Sequence, residues 1–114
     1  MTVFIVQKQM FLDKSIGEFV IKFPDILKAE RYGNLSVMLS PTDHPFDPVY
    51  IASEIQNAIA DMTRDDYLLP VGNTTLVAIA TAIVANHLEG EFKLLHWSAR
   101  DNDYVVLNYH LFDK

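Results

Sequence analysis

The sequence predicts a small α/β domain, three-layered and Rossmann-like, with a mostly parallel sheet and the element order ββαβαβαββ. Three observations carry that expectation. Residues 66–97 (DYLLPVGNTTLVAIATAIVANHLEGEFKLLHW) read as strand, turn, apolar helix and strand, the crossover unit of parallel sheets. A strand and a helix alternate in the same way just before it. Paired strand patterns at the two ends predict hairpins, which would give the sheet antiparallel edges. At 114 residues the chain suits a single domain, 1–114, able to bury about two-thirds of its unfolded surface.

From the N-terminus, Thr2–Phe11 (TVFIVQKQMF) begins as a strand of β-branched and aromatic residues. Residues 13–17 (DKSIG) are turn material. Glu18–Phe23 alternates, placing Phe19, Ile21 and Phe23 on one face, so the two runs read as a hairpin. Pro24-Asp25 opens a short helix through Tyr32, which Gly33 stops. Leu35–Ser40 is the next strand. The loop Pro41–Pro48 holds three prolines in eight residues (PTDHPFDP) and ends in Asp47-Pro48, a helix cap followed by proline at the first helical position. The helix that follows runs to about Met62 and aligns Ile51, Ile55, Ile59 and Met62 on one stripe.

In the crossover, Tyr67–Val71 is a continuous apolar run suited to a strand covered on both faces, with Pro70 near its end. Thr75–Glu89 is a helix with so little polarity that burial on most of its circumference is expected, Ala82 included. Gly90 is the expected left-handed C′ stop. Phe92–Trp97 and Tyr104–His110 then flank the polar loop Ser98–Asp103. Setting Trp97 opposite Tyr104 gathers Phe92, Leu94, Val105, Leu107 and Tyr109 on one face, which selects that register. It also sets His96 opposite Val105 and turns His110 towards Glu91.

Charge narrows the partners. Residues 1–35 carry five basic and four acidic side chains, and the remainder four and eleven, for a net charge of −6. That balance opposes duplex nucleic acid, whose affinity comes from Lys and Arg displacing counterions. The apolar N-terminus lacks the basic region and cleavage site of a secretory signal. The absence of cysteine fits a reducing compartment. The apolar helix is shorter than the ~20 residues that cross a bilayer. A cytoplasmic protein without a membrane segment is expected.

Two groups of residues are candidate sites. Gly72, Asn73, Thr74 and Thr75 form a strand-to-helix turn whose N–H groups and helix dipole could cradle a phosphate or carboxylate. No G-x-G-x-x-G and no P-loop lysine accompany them, and capping of a core helix explains the same residues. Trp97, Arg100, Asp101 and Tyr104 surround the loop at one end of the sheet and suit a partner contact; a cross-strand aromatic pair that pins the hairpin explains them as well. Asp43, His44 and Asp47 share the proline-rich loop but make a weak metal or acid–base signal, and His87, His96 and His110 form no motif. No serine lies in a nucleophile elbow. No catalytic residue, metal or cofactor is assigned.

The segments Asp25-Ile-Leu-Lys-Ala29 with Tyr32-Gly33, Asp66-Tyr-Leu-Leu-Pro-Val-Gly72, Leu94-Leu-His-Trp97 and Tyr104 resemble landmarks of small uncharacterised α/β proteins of bacteriophages, over most of residues 20–110. The resemblance implies a viral accessory protein acting inside a bacterium, and it brings no catalytic residues. The leading expectation is therefore a non-enzymatic protein that binds itself, as a homo-oligomer, or a host or viral protein. A domain binding a nucleotide or small anion at Gly72–Thr75 is the alternative, and a structural virion component a third.

Overall fold

The computed structural model describes residues 1–8, 10–21 and 24–112. It belongs to the α/β class. The strands are β1 (Thr2–Gln7), β2 (Met10–Asp13), β3 (Glu18–Ile21), β4 (Asn34–Leu39), β5 (Tyr67–Leu69), β6 (Glu91–Ser98) and β7 (Asp103–His110). The helices are a 3-10 helix over Pro24–Tyr32, α1 (Pro48–Ala58) and α2 (Thr74–His87). Five strands form one sheet in the order β4-β1-β5-β6-β7, parallel except for β7.

The expected order ββαβαβαββ needs one correction. Thr2–Phe11 is two strands, and the first of them is the second strand of the main sheet rather than half of a hairpin. In β1, Val3, Phe4, Ile5 and Val6 are all buried, between β4 and β5. A strand covered on both faces reads as an unbroken apolar run, as this one does. The hairpin partner of β3 is β2, and the pair forms a separate two-stranded sheet. Among the described residues only the C-terminal hairpin supplies an antiparallel edge; the other edge is the parallel strand β4. Phe23, expected to end the second strand of the N-terminal hairpin, lies outside the described residues.

Two cores flank the sheet. On one face α1 and α2 cover Phe4, Val6, Leu68 and Phe92 with Ile51, Ile55, Ile59, Leu76, Ala80 and Val84. On the other, the 3-10 helix covers Val3, Ile5, Leu69, Leu95 and Tyr104 with Ile26 and Ala29, and Tyr32 packs against them. A three-residue turn lines up positions 26, 29 and 32, which explains a 3-10 helix of nine residues where an ordinary short helix is expected. α1 is capped as expected, the Asp47 carboxylate accepting from Tyr50 N at 3.2 Å. Trp97 pairs with Tyr104 in the expected register.

α2 departs from expectation in two ways. It is buried along one face only: Ala78, Ile79 and Ala82 point outward and are exposed. Alanine is compatible with both environments, so an alanine-rich helix overstates its own burial. Its C-terminus is also set one residue earlier. Gly90 N donates to Ala85 O at 2.7 Å, the outer bond of a Schellman motif, so Glu89 and not Gly90 occupies C′, at φ +56°. Arg64 completes this end, its Nε and guanidinium N–H groups donating to Leu88 O at 3.2 and 3.1 Å.

Two outcomes follow for stability. Ala80→Asp should cost several kcal/mol, a large part of the ~5–15 kcal/mol that holds a domain together, because it buries an unpaired charge. Ala82→Asp, on the exposed face, should cost no more than about 1 kcal/mol. Equal losses in urea unfolding would contradict the assigned faces. Glu89→Gly removes a left-handed residue with a side chain, a strain of roughly 1–2 kcal/mol partly offset by glycine's greater unfolded-state freedom. Its exposed contact to Arg64, 3.6 Å long, contributes little. A rise in Tm of roughly 4 °C is expected, and an unchanged or lower Tm would contradict the C′ assignment.

Candidate functional site

The C-terminal ends of β1 and β5 lie side by side, yet the chain leaves β1 for β4 on one side and continues from β5 to β6 on the other. Ligands of open α/β sheets collect in the crevice such a divergence opens. Here Gln7 fills it. The residue is 3% exposed, and its side chain is fully engaged. Nε2 donates to Ser40 O and to Asp43 O, each at 2.9 Å, while Oε1 accepts from Asn73 N at 3.1 Å. Its backbone N–H donates to Val71 O at 2.9 Å. One amide thus ties the β1 end, the loop after β4 and the start of α2 together.

Gly72 belongs to the same arrangement. It sits at φ +141°, and a Cβ placed on it would lie 2.8 Å from the Gln7 Cβ. Asn73 caps α2, its Oδ1 accepting from Thr75 N at 3.0 Å and Leu76 N at 3.3 Å. The structure therefore brings Gly72, Asn73, Thr74 and Thr75 together at a helix start, with the N–H groups of Asn73, Thr75 and Leu76 already engaged inside the chain.

The second candidate group is divided between interior and surface. Tyr104 is buried and meets Trp97 edge to face, the ring centroids 5.1 Å apart. The 3-10 helix holds both from the side. The Lys28 ammonium lies 5.2 Å from the Trp97 ring, and Tyr32 OH donates to Tyr104 O at 3.3 Å. Arg31 pairs with Asp103 at 2.7 Å and bonds Tyr32 OH, the latter contact chiefly raising its guanidinium pKa above the usual value. Arg100 and Asp101 are exposed on the turn, where Asp101 accepts from the Ser98 hydroxyl at 3.0 Å.

The residues of the proline-rich loop each hold a local contact. Asp43 accepts from Ser40 N at 2.8 Å, and His44 Nδ1 accepts from Phe46 N at 3.2 Å. Among the described residues no three His, Asp or Glu side chains converge as a metal site. His87 reaches Met62 O at 3.0 Å, His110 meets Glu91 at 3.3 Å, and His96 stands opposite Val105.

The sequence reading passed over three neighbours in this region. Phe46 is 85% exposed, Val49 82% and Tyr50 46%. They sit among carboxylates: Asp43, Glu54 and Asp47 hold the Tyr50 phenol above its ordinary pKa. The signal was present. Once Ile51, Ile55 and Ile59 take the inward stripe, helical periodicity leaves Val49 and Tyr50 outside, and prolines on both sides of Phe46-Asp47 restrict any return of the chain.

Gln7→Leu keeps the volume but strands Asp43 O and Asn73 N, while Ser40 O keeps the Asp43 N–H that donates to it at 3.0 Å. At about 1–3 kcal/mol for each unsatisfied group, partly relieved where water enters, a loss of roughly 3 kcal/mol is expected in urea unfolding. A loss below about 1 kcal/mol would show that the amide is dispensable.

Residues 1–111 match the family model described as Phage Pam3 gp32-like protein. No curated protein and no solved structure matches the chain.

Proposed function

Since the chain belongs to the Phage Pam3 gp32-like protein family, we propose that this viral protein works by binding protein surfaces, its own included, without catalysing a reaction, in the cytoplasm of the host. The observation that carries the proposal is the group Phe46, Val49 and Tyr50, neighbours in sequence around the start of α1. Three large apolar side chains stand in solvent beside a crevice that the protein has closed on itself. Exposed apolar patches with a polar rim mark interaction sites, and aromatic residues dominate their energetics. In this reading Arg100 and Asp101 add a polar contact on the β6–β7 turn, beside the Trp97–Tyr104 pair.

The Rossmann-like reading of the sheet is part of the proposal, and the break in strand order between β1 and β5 supports it. The small-anion alternative uses the same edge, but the engaged N–H groups of Asn73, Thr75 and Leu76 weigh against it. A place in the virion would draw on the same exposed surfaces. Among the described residues no helix is long and apolar enough to cross a membrane.

Light scattering at high micromolar concentration tests the self-association. A dimer or larger species is expected for the wild type, and Phe46→Ser with Val49→Ser should weaken it at least tenfold. The same double variant should keep its Tm within a few degrees, because exposed positions contribute little to stability. A wild-type monomer would contradict the proposal. Phosphate, sulfate and nucleotides at millimolar concentration are expected to leave the wild-type melt unchanged; a shift of about 5 °C or more would promote the anion reading instead.

A further inference from the structure

We infer that β7 pairs edge to edge with β7 of a second copy, antiparallel about a two-fold axis at Asn108, so that two five-stranded sheets join into one. The inference rests on the self-association reading and adds a second contact to the Phe46–Val49–Tyr50 face.

β7 ends the sheet, and part of its outer side is an open ladder. The register with β6 runs unbroken from Asp103 to His110, and Leu111 N extends it by donating to Gly90 O at 2.9 Å. Along an antiparallel strand, backbone groups point alternately towards and away from the partner. Those of Leu111 face β6, and so do those of Tyr109, Leu107 and Val105. The N–H and C=O groups of Tyr104, Val106, Asn108 and His110 therefore face outward. The Tyr104 groups are already engaged, N–H with the Asp103 carboxylate at 2.7 Å and C=O with Tyr32 OH at 3.3 Å. Among the described residues nothing bonds the outward groups of Val106, Asn108 and His110. The strand has no proline, lysine or bulge, the devices that usually blunt an edge.

Those three residues select the register. A two-fold axis perpendicular to the sheet sets one residue opposite its own image. An axis at Val106 or Leu107 needs the engaged Tyr104 groups, and one at Tyr109 leaves Val106 against Phe112, past the end of the strand. An axis at Asn108 pairs Val106 with His110 of the second copy, Asn108 with its image, and His110 with Val106. It also sets Leu107 beside Tyr109 and Val105 beside Leu111 of the second copy on one face. Val105, Tyr109 and Leu111 are exposed in the single chain, and each gains an apolar neighbour across the axis.

Charge makes a copy the occupant. Residues 104–112 (YVVLNYHLF) contain no Asp, Glu, Lys or Arg, although the chain carries a net −6. Pairing this edge with its own image therefore brings no like charges together. The Asn108 amide, donor and acceptor at once, is complementary to itself.

Disulfide trapping tests the pairing without background, because the chain has no cysteine. Asn108→Cys, Val105→Cys and Leu111→Cys each replace an exposed side chain, so folding is not at stake. Under mild oxidation Asn108→Cys should form a covalent homodimer on a non-reducing gel. Its yield should be at least tenfold above that of Val105→Cys alone, whose image lies about 20 Å away in this register. Val105→Cys mixed with Leu111→Cys should bridge at least tenfold above either alone. If Asn108→Cys forms no bridge although light scattering shows a dimer or larger species, the strand pairing is overturned and self-association stands. Val105→Cys that bridges to itself as readily as Asn108→Cys, or as readily as the mixture, overturns it too. A monomeric wild type removes both readings together.

Discussion

The carboxamide of Gln7 is the contact on which the C-terminal edge of the sheet depends. It accepts from the first residue of the α2 cap and donates to two carbonyls of the loop after β4. Both sides of the crevice are therefore fixed to β1, an inner strand of the sheet. The opposite edge is tied by Asp66, whose carboxylate accepts from Thr2 N and Thr63 N, each at 2.8 Å. A buried polar group is stabilising only when its partners are all present. Both residues satisfy that condition, and both join the start or end of β1 to segments far away in sequence.

Closing the crevice has a consequence for function. A doubly wound sheet ordinarily offers its ligand site between diverging strands. In this chain a glutamine side chain takes that space, and the close approach of Gln7 by itself requires glycine at position 72. What remains exposed at the same edge is a proline-bounded phenylalanine, the first turn of α1 and the β6–β7 turn. Under the proposed function these exposed apolar groups are the contact surface, since small-molecule sites are concave.

Much of this was legible in the sequence where the signals are local. Asp47-Pro48 marked the start of α1 because cap and proline act within one turn. The pairing of Trp97 with Tyr104 followed from alternation across a short hairpin. β1 was misplaced because its partners, Asn34–Leu39 and Tyr67–Leu69, lie more than thirty and sixty residues away, and because the apolar run continues past its end into Met10 and Phe11. Gln7 carried no sequence signal, since an isolated glutamine does not reveal three distant backbone partners. α2 was read as too buried because Ala78 and Ala82 fit either side of a helix. The exposure of Val49 and Tyr50 follows from helical periodicity only once Ile51, Ile55 and Ile59 take the inward stripe, and that of Phe46 depends on the path of its loop.

Hydrogen exchange of the Gln7 side-chain amide, followed by NMR, tests the closed edge most directly. Its two Nε2 protons donate to Ser40 O and Asp43 O within a buried site, whereas Gln56 lies exposed on α1. The Gln7 protons are expected to persist at least a hundredfold longer than those of Gln56, a protection of roughly 2.7 kcal/mol in local opening. Exchange of both side chains at the same rate would mean that the crevice is open to water, and the account of a self-closed edge would be wrong.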